Sequence, residues 1–286
     1  MLYLNDEIVE PSKALISVYD HGFLYGDGIY ETLRVYQGVV FKFREHLDRL
    51  FRSASRIKLN IGKTYEELEE AVYTVLRANQ LKEAYIRISI SRGYGPIGLD
   101  PSLCKKPTIA IIPIAFGGHP EENYEQGVKI IFTKTRRNYK AALDPMIKSL
   151  NFLNNILAKI EAIEAEVYEG VMLNYQDFVT EGTICNIFFI KNNTLFTPSI
   201  DVGILDGITR VIIMELASNL GMKTEKGHYR KEDVYIADEV FLSNTTMEIM
   251  PVRQADNQNY AGTPGKWTKA LHKAYKEYVA AYISLK

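Results

Sequence analysis

One lysine and one glutamate in this chain sit where their side chains can do covalent and proton chemistry. Lys148 follows the apolar step Pro145-Met146-Ile147. It precedes a run in which Phe152, Leu153, Ile156, Leu157, Ile160 and Ile163 recur at helical spacing, with Ser149 or Asn151 available as a cap. A lysine at the mouth of such a buried element is costly without a partner or a task, because desolvation disfavours the ammonium. The neutral amine is the form that builds a Schiff base with a carbonyl. Glu181 ends the strand-like run Phe178-Val179-Thr180 and is followed by Gly182. A carboxylate there can hold a proton on a heteroaromatic nitrogen.

Anion recognition has two candidates. Asp206-Gly207-Ile208-Thr209-Arg210 leads into a predicted helix ending near residue 219. The backbone N–H groups of Ile208 and Thr209 open that helix, and the Thr209 hydroxyl adds a donor suited to a phosphate. Arg49, in Glu45-His46-Leu47-Asp48-Arg49-Leu50, offers a guanidinium to the same kind of anion, or an i,i+4 ion pair with Glu45 on a solvated helix. On the predicted strand 29–36, Tyr30, Thr32 and Arg34 share one face, with Glu31, Leu33 and Val35 on the other. On the strand 84–91, Tyr85, Arg87 and Ser89 share a face. Two aromatics and two guanidiniums on one sheet face make either an amphipathic, carboxylate-binding pocket or an exposed polar surface.

The elements that must position these groups read as follows. Residues 2–9 form strand, tight turn and strand. Residues 19–28 carry three glycines and read as a sharply bent loop. Gln37-Gly38 is a hairpin turn with a return strand over 39–43. A helix over 44–54 has Leu47, Leu50, Phe51 and Ala54 on one stripe, and Thr64 with Glu67 reads as a capping box that opens a second helix to about Asn79. Strands follow at 84–91 and 107–114, separated by the glycine- and proline-rich loop Arg92–Pro101. Phe116–Asn123 has the composition of a linker. The expectation is an α+β fold with a smaller N-terminal domain over 1–117, a linker over 118–124 and a larger, strand-rich domain over 125–286.

Composition excludes several classes. The chain of 286 residues is 47% hydrophobic, enough for a sizeable core, and its formal net charge of −1 argues against nucleic acid or an anionic membrane as partner. No apolar run approaches the ~20 residues that span a bilayer. Two distant cysteines, Cys104 and Cys185, fit a reducing cytoplasm better than a disulfide framework, and no metal-ligand cluster is predicted.

Taken together, Lys148-Ser149-Leu150-Asn151 and Val179-Thr180-Glu181-Gly182, in that order along the chain, resemble the lysine and glutamate segments of the fold-type IV pyridoxal-phosphate enzymes. This family includes branched-chain and D-amino acid aminotransferases, (R)-selective amine transaminases and aminodeoxychorismate lyases. The resemblance implies pyridoxal 5'-phosphate in Schiff-base linkage to Lys148, which also moves the proton in catalysis, with Glu181 on the ring nitrogen. It implies that Arg49, Ile208, Thr209 and Thr245 bind the phosphate and that Leu205 packs on the ring. It further implies that Tyr25, Tyr30, Arg34, Tyr85, Arg87, Leu99 and Thr246 bind substrate, Leu99 reaching in from the other subunit of a homodimer or an assembly of dimers.

Within the family, the loop Arg92–Pro101 resembles that of prokaryotic branched-chain aminotransferases. D-amino acid aminotransferases carry an arginine and a histidine where this chain has Ile97 and Leu99. The expected reaction is transamination of L-branched-chain amino acids with 2-oxoglutarate. Thr32, where the branched-chain pattern has glycine, is more lyase-like. Phe152 stands where a tyrosine hydrogen-bonds the cofactor, and D-amino acid enzymes also lack that tyrosine. D-amino acid or (R)-amine transamination, and less so an aminodeoxychorismate lyase activity, are therefore the alternatives.

Overall fold

The computed structural model describes residues 1–286. They divide into two compact units. The first comprises Met1–Gly117, Ile147–Phe152 and Ile283–Lys286; the second comprises Gly118–Met146 and Leu153–Tyr282.

The first unit contains β1 (Leu2–Leu4), β2 (Glu7–Val9), α1 (His21–Tyr25), β3 (Gly28–Tyr36), β4 (Val39–Val40), α2 (Phe43–Arg56), α3 (Tyr65–Asn79), β5 (Ala84–Ser91) and β6 (Thr108–Ala115). The strands make one antiparallel sheet in the order β2-β1-β6-β5-β3-β4. Ile29, Leu33 and Val35 of β3 and Ile86, Ile88 and Ile90 of β5 are fully buried. They form one core with Leu47 and Leu50 of α2 and Leu68, Val72 and Val75 of α3. The capping box forms: Thr64 Oγ1 accepts from the Glu67 N–H at 3.2 Å, and the Glu67 carboxylate accepts from the Thr64 N–H at 2.7 Å. The glycine-rich stretch at 19–28 is not wholly loop. Asp20 accepts a hydrogen bond from the Gly22 N–H and so caps α1.

The second unit contains α4 (Glu121–Gln126), β7 (Val128–Phe132), α5 (Leu153–Glu164), β8 (Glu169–Leu173), β9 (Val179–Gly182), β10 (Asn186–Lys191), β11 (Thr194–Pro198), α6 (Ile208–Asn219), β12 (Lys223–Gly227), α7 (Lys231–Tyr235), β13 (Glu239–Asn244), β14 (Glu248–Ala255), β15 (Gln258–Asn259) and α8 (Lys266–Ser284). Its sheet runs β12-β11-β10-β13-β14-β7-β8-β9, and β9 returns to pair with β10 through Glu181 and Asn186. Six strands thus close into a ring, which removes the exposed edges of β9 and β10 at the position of Glu181.

Three further expectations need correction. The second unit is not continuous from 125 to 286, because Ile147–Phe152 belongs with the first unit. Part of the predicted linker is helical, as α4. The helix after Lys148 starts at Leu153, and its apolar stripe is not the buried face. Asn155, Ala158 and Ala162 are buried, whereas Leu153, Ile156, Leu157, Ile160 and Ile163 are 43–64% exposed. The cause is close packing on β8: a Cβ added at Gly170 would lie 2.9 Å from the Ala158 carbonyl oxygen. Only small residues fit that contact, so the bulky ones turn outward. No helix is long and apolar enough to cross a membrane.

Replacing Thr64 with Ala removes half of the capping box. The expected cost is about 1 kcal/mol, read as a lower denaturation midpoint with an unchanged denaturant slope.

Candidate active site

Lys148 lies in an extended segment paired with the start of β3. The Tyr30 N–H donates to the Lys148 carbonyl at 2.9 Å, and the Leu150 N–H donates to the Gly28 carbonyl at 2.9 Å. The Lys148 N–H donates to the Ser53 hydroxyl of α2 at 3.2 Å. The segment is thereby fixed on both sides. The half-buried amine donates to the Tyr30 hydroxyl at 3.2 Å and sits 4.3 Å from the centre of the Tyr30 ring. Tyr30 is also edge-on to Phe152, with ring centres 5.4 Å apart, and the Arg87 guanidinium lies 4.0 Å from its ring centre. Arg87 Nε donates to Ser89 Oγ at 3.0 Å. Lys148, Tyr30, Arg87 and Phe152 therefore form one cluster: an amine, a phenol, a guanidinium and an apolar wall.

Arg34 shares the strand face of Tyr30 but is engaged elsewhere. It donates to the carbonyls of Val35 and Ala84 and to Glu83 Oε2 at 2.8 Å, and its guanidinium lies 4.5 Å from the Tyr36 ring centre and 5.0 Å from that of Phe116. Tyr85 is opposite Arg34 in the register, edge-on to Phe116. The structure does not bring these two into the Lys148 cluster. Tyr25 accepts a hydrogen bond from the Gly98 N–H at 3.2 Å, and His21 Nε2 lies 3.0 Å from the Pro96 carbonyl oxygen. The loop bearing Ile97 and Leu99 is tied down in this way, while those two side chains are among the most exposed apolar ones.

The other face of β3 carries a buried charge cluster. Arg49 donates to both oxygens of Glu31, at 2.7 and 2.9 Å, and His46 Nδ1 lies 2.9 Å from Glu31 Oε2. All three are buried. Glu45 pairs instead with Lys42, at 3.0 Å. Burial would push the Glu31 carboxyl up, but the charge and hydrogen bonds of Arg49, with the hydrogen bond from His46, outweigh it and hold the carboxyl well below the usual range. Burial pushes the His46 imidazole down, against the opposing pull of Glu31.

In the second unit, Glu181 is buried and held on two sides. Arg137 Nε donates to Oε1 at 2.9 Å, and the Leu205 N–H donates to Oε2 at 3.0 Å. Asn186, paired with Glu181 across the strands, donates to the Leu205 carbonyl at 3.1 Å. A Cβ at Gly207 would lie 2.1 Å from Asn186 Oδ1, so the turn before α6 lies against β10 and a side chain there would displace the Asn186 amide. This seats the start of α6, with Thr209 buried and no side chain capping the first turn. Thr245 and Thr246 lie in the turn between β13 and β14. Asn244 shapes that turn by accepting from the Thr246 and Met247 N–H groups, and it donates to the Ile184 carbonyl. The Ser243 hydroxyl, at the end of β13, is buried and unpartnered.

Each unit has its own chemistry: in the first, the Lys148 amine suits a carbonyl; in the second, the fixed Glu181 carboxylate suits a heteroaromatic nitrogen and the uncapped N-terminus of α6 suits a phosphate. Sequence reasoning missed Glu31, His46, Arg137 and Asn244. Only Glu31 left a signal, being a charge in the same register as Leu33 and Val35.

The charge cluster sets a pH dependence. Glu31 and His46 both bind protons less readily when folded than their ordinary values of 4.5 and 6.5 imply. The unfolded chain therefore takes up more protons as pH falls, and stability drops, first below about 6.5 and again below about 4.5. Thermal melts across pH 4–8 should show both phases, and His46→Gln should shrink the upper one, leaving the part that His119, also pushed down by burial, contributes. Arg49→Met, which strands the Glu31 charge, should cost about 3–5 kcal/mol.

Residues 28–255 match the family model described as amino-transferase class IV. A putative branched-chain-amino-acid aminotransferase of Methanocaldococcus jannaschii is 43% identical over 277 residues, 96% of this chain and 95% of that protein. An aminodeoxychorismate lyase of Bacillus subtilis is 33% identical, covering 99% of this chain and 96% of that protein. A D-alanine aminotransferase of Staphylococcus epidermidis is 34% identical, with 98% of each covered. Among solved structures, the Escherichia coli branched-chain amino acid aminotransferase superposes with a TM-score of 0.94 at 32% identity, over 97% of this chain and 94% of that one. The branched-chain aminotransferase of the thermophilic archaeon Thermoproteus uzoniensis, solved with norvaline, superposes with a TM-score of 0.91 at 33% identity, over 97% and 94%. These five proteins each match over nearly the whole length on both sides, and the chain belongs to the class IV aminotransferase family.

Proposed function

We propose that this aminotransferase uses pyridoxal 5'-phosphate to move the amino group of L-branched-chain amino acids to 2-oxoglutarate. The observation that carries the reading is the Lys148 amine held against Tyr30, with the Arg87 guanidinium 4.0 Å from the centre of the same ring. When bound, the cofactor supplies an electron sink for negative charge at the substrate α-carbon. Lys148 provides the amine that links to it and, once released, takes the α-proton and returns it. Tyr30 holds that amine in place. Glu181 keeps a proton on the ring nitrogen, and the N–H groups of Ile208 and Thr209, with Thr245 and Arg49, take the phosphate. Arg87, whose terminal nitrogens have no carboxylate partner, binds a substrate carboxylate. Ile97 and Leu99 supply apolar contact for a branched side chain. The 43% identity to the Methanocaldococcus relative and the high superposition on the Escherichia enzyme support this choice of substrate.

A second reading, D-amino acid transamination, is favoured by Phe152 at the wall of the Lys148 cluster and by the engagement of Arg34 with Glu83, which leaves one arginine there instead of two. We also propose that the chain works as a dimer. The large apolar side chains along the outer face of α5 are what a second copy would cover.

Adding L-leucine or D-alanine separately to the holoenzyme, without an oxo acid, distinguishes the two substrates. L-leucine should bleach the visible band of the bound cofactor and D-alanine should not; the reverse result overturns the branched-chain reading. Lys148→Ala should lower the turnover rate by about 10²–10⁴-fold from lost proton transfer alone. The double variant Leu157→Glu with Ile160→Glu should shift the sedimenting species to a monomer.

A further inference from the structure

We propose that Arg137 keeps the Glu181 carboxylate ionised and aimed, and so determines that a proton shared between Glu181 and the cofactor nitrogen resides on the nitrogen. The inference rests on the reading of Glu181 given above. Its grounds are the two fixed edges of the carboxylate. Arg137 Nε donates to one oxygen at 2.9 Å and the Leu205 N–H donates to the other at 3.0 Å, so the carboxylate cannot turn without breaking a bond.

Arg137 is itself immobilised. Its backbone N–H donates to the Leu173 carbonyl of β8 at 2.9 Å, and a terminal nitrogen donates to Asn154 Oδ1 at 3.1 Å. Asn154 in turn donates to the Arg136 carbonyl at 2.7 Å and accepts from the Asn138 N–H at 3.1 Å. The two side chains of the ion pair are 9% and 7% exposed. A carboxylate so buried is costly as an anion unless a cation shares the site, and the guanidinium is that cation. A proton shared by two bases stays on the stronger one. By stabilising the carboxylate anion, Arg137 leaves the ring nitrogen as the stronger base. Without Arg137 the carboxyl competes for the proton, and a ring that loses it draws electrons less strongly. Arg137 is thus a positioning residue acting through Glu181.

The test is the nitrogen NMR shift of pyridoxal 5'-phosphate labelled with ¹⁵N in the ring and reconstituted into the wild type, Arg137→Gln, Arg137→Lys and Glu181→Gln. The wild type should give a protonated-ring signal. Arg137→Gln should move it toward the neutral-ring position, and Arg137→Lys should lie between them. If Arg137 only supports the fold, its variants bind the cofactor more weakly but the bound nitrogen stays at the wild-type position, and the proposal is overturned. If Glu181→Gln leaves the signal unmoved, the reading of Glu181 itself falls. Movement in Glu181→Gln but not in Arg137→Gln removes only the role of Arg137. Should Arg137→Gln fail to fold, Arg137→Lys carries the same comparison.

Discussion

Two backbone hydrogen bonds, from the Tyr30 N–H to the Lys148 carbonyl and from the Leu150 N–H to the Gly28 carbonyl, determine where the amine stands. They make a short return segment part of the first sheet. The Lys148 side chain therefore inherits the rigidity of β3, and β3 is rigid because both of its faces are occupied. One face carries Tyr30, which meets the amine. The other inserts Ile29, Leu33 and Val35 into the core and Glu31 between Arg49 and His46. A buried ion pair of this kind contributes little net stability, but it fixes one geometry, because any other arrangement strands a charge.

The second unit solves a different problem with a different device. A carboxylate is buried there and must be held, and it is held where six strands close into a ring. The β9–β10 pairing sets Glu181 beside Asn186, and both reach Leu205 through its two backbone groups. The same turn then delivers the N-terminus of α6. The carboxylate and the helix opening are consequently not independent: moving Leu205 displaces both.

Local signals in the sequence led to correct elements where the stabilising partners were also local. The Thr64–Glu67 box and the alternation over 84–91 are examples, because cap and pleat are decided within a few residues. The extended course of Ile147–Phe152 was hidden because its partner, β3, lies far upstream. The outward face of α5 was hidden because a helical period marks a stripe without saying which side is covered, and Gly170 on β8 decides that. Arg34 was placed on the correct face, yet its charge is taken by Glu83 from a neighbouring strand end. The types and order of Lys148, Glu181 and the Gly207–Thr209 turn were legible; Arg137, which holds Glu181, stands outside any of those motifs.

The loop over 94–99 is held by its backbone: Pro96 offers its carbonyl to His21, and Gly98 gives its N–H to Tyr25. Ile97 and Leu99 take no part in that anchoring. The path of the loop and the identity of its exposed side chains are therefore separable inheritances. Mutation can exchange the second while the first is kept, so a lineage with this scaffold can vary what the loop displays without first having to rebuild its course.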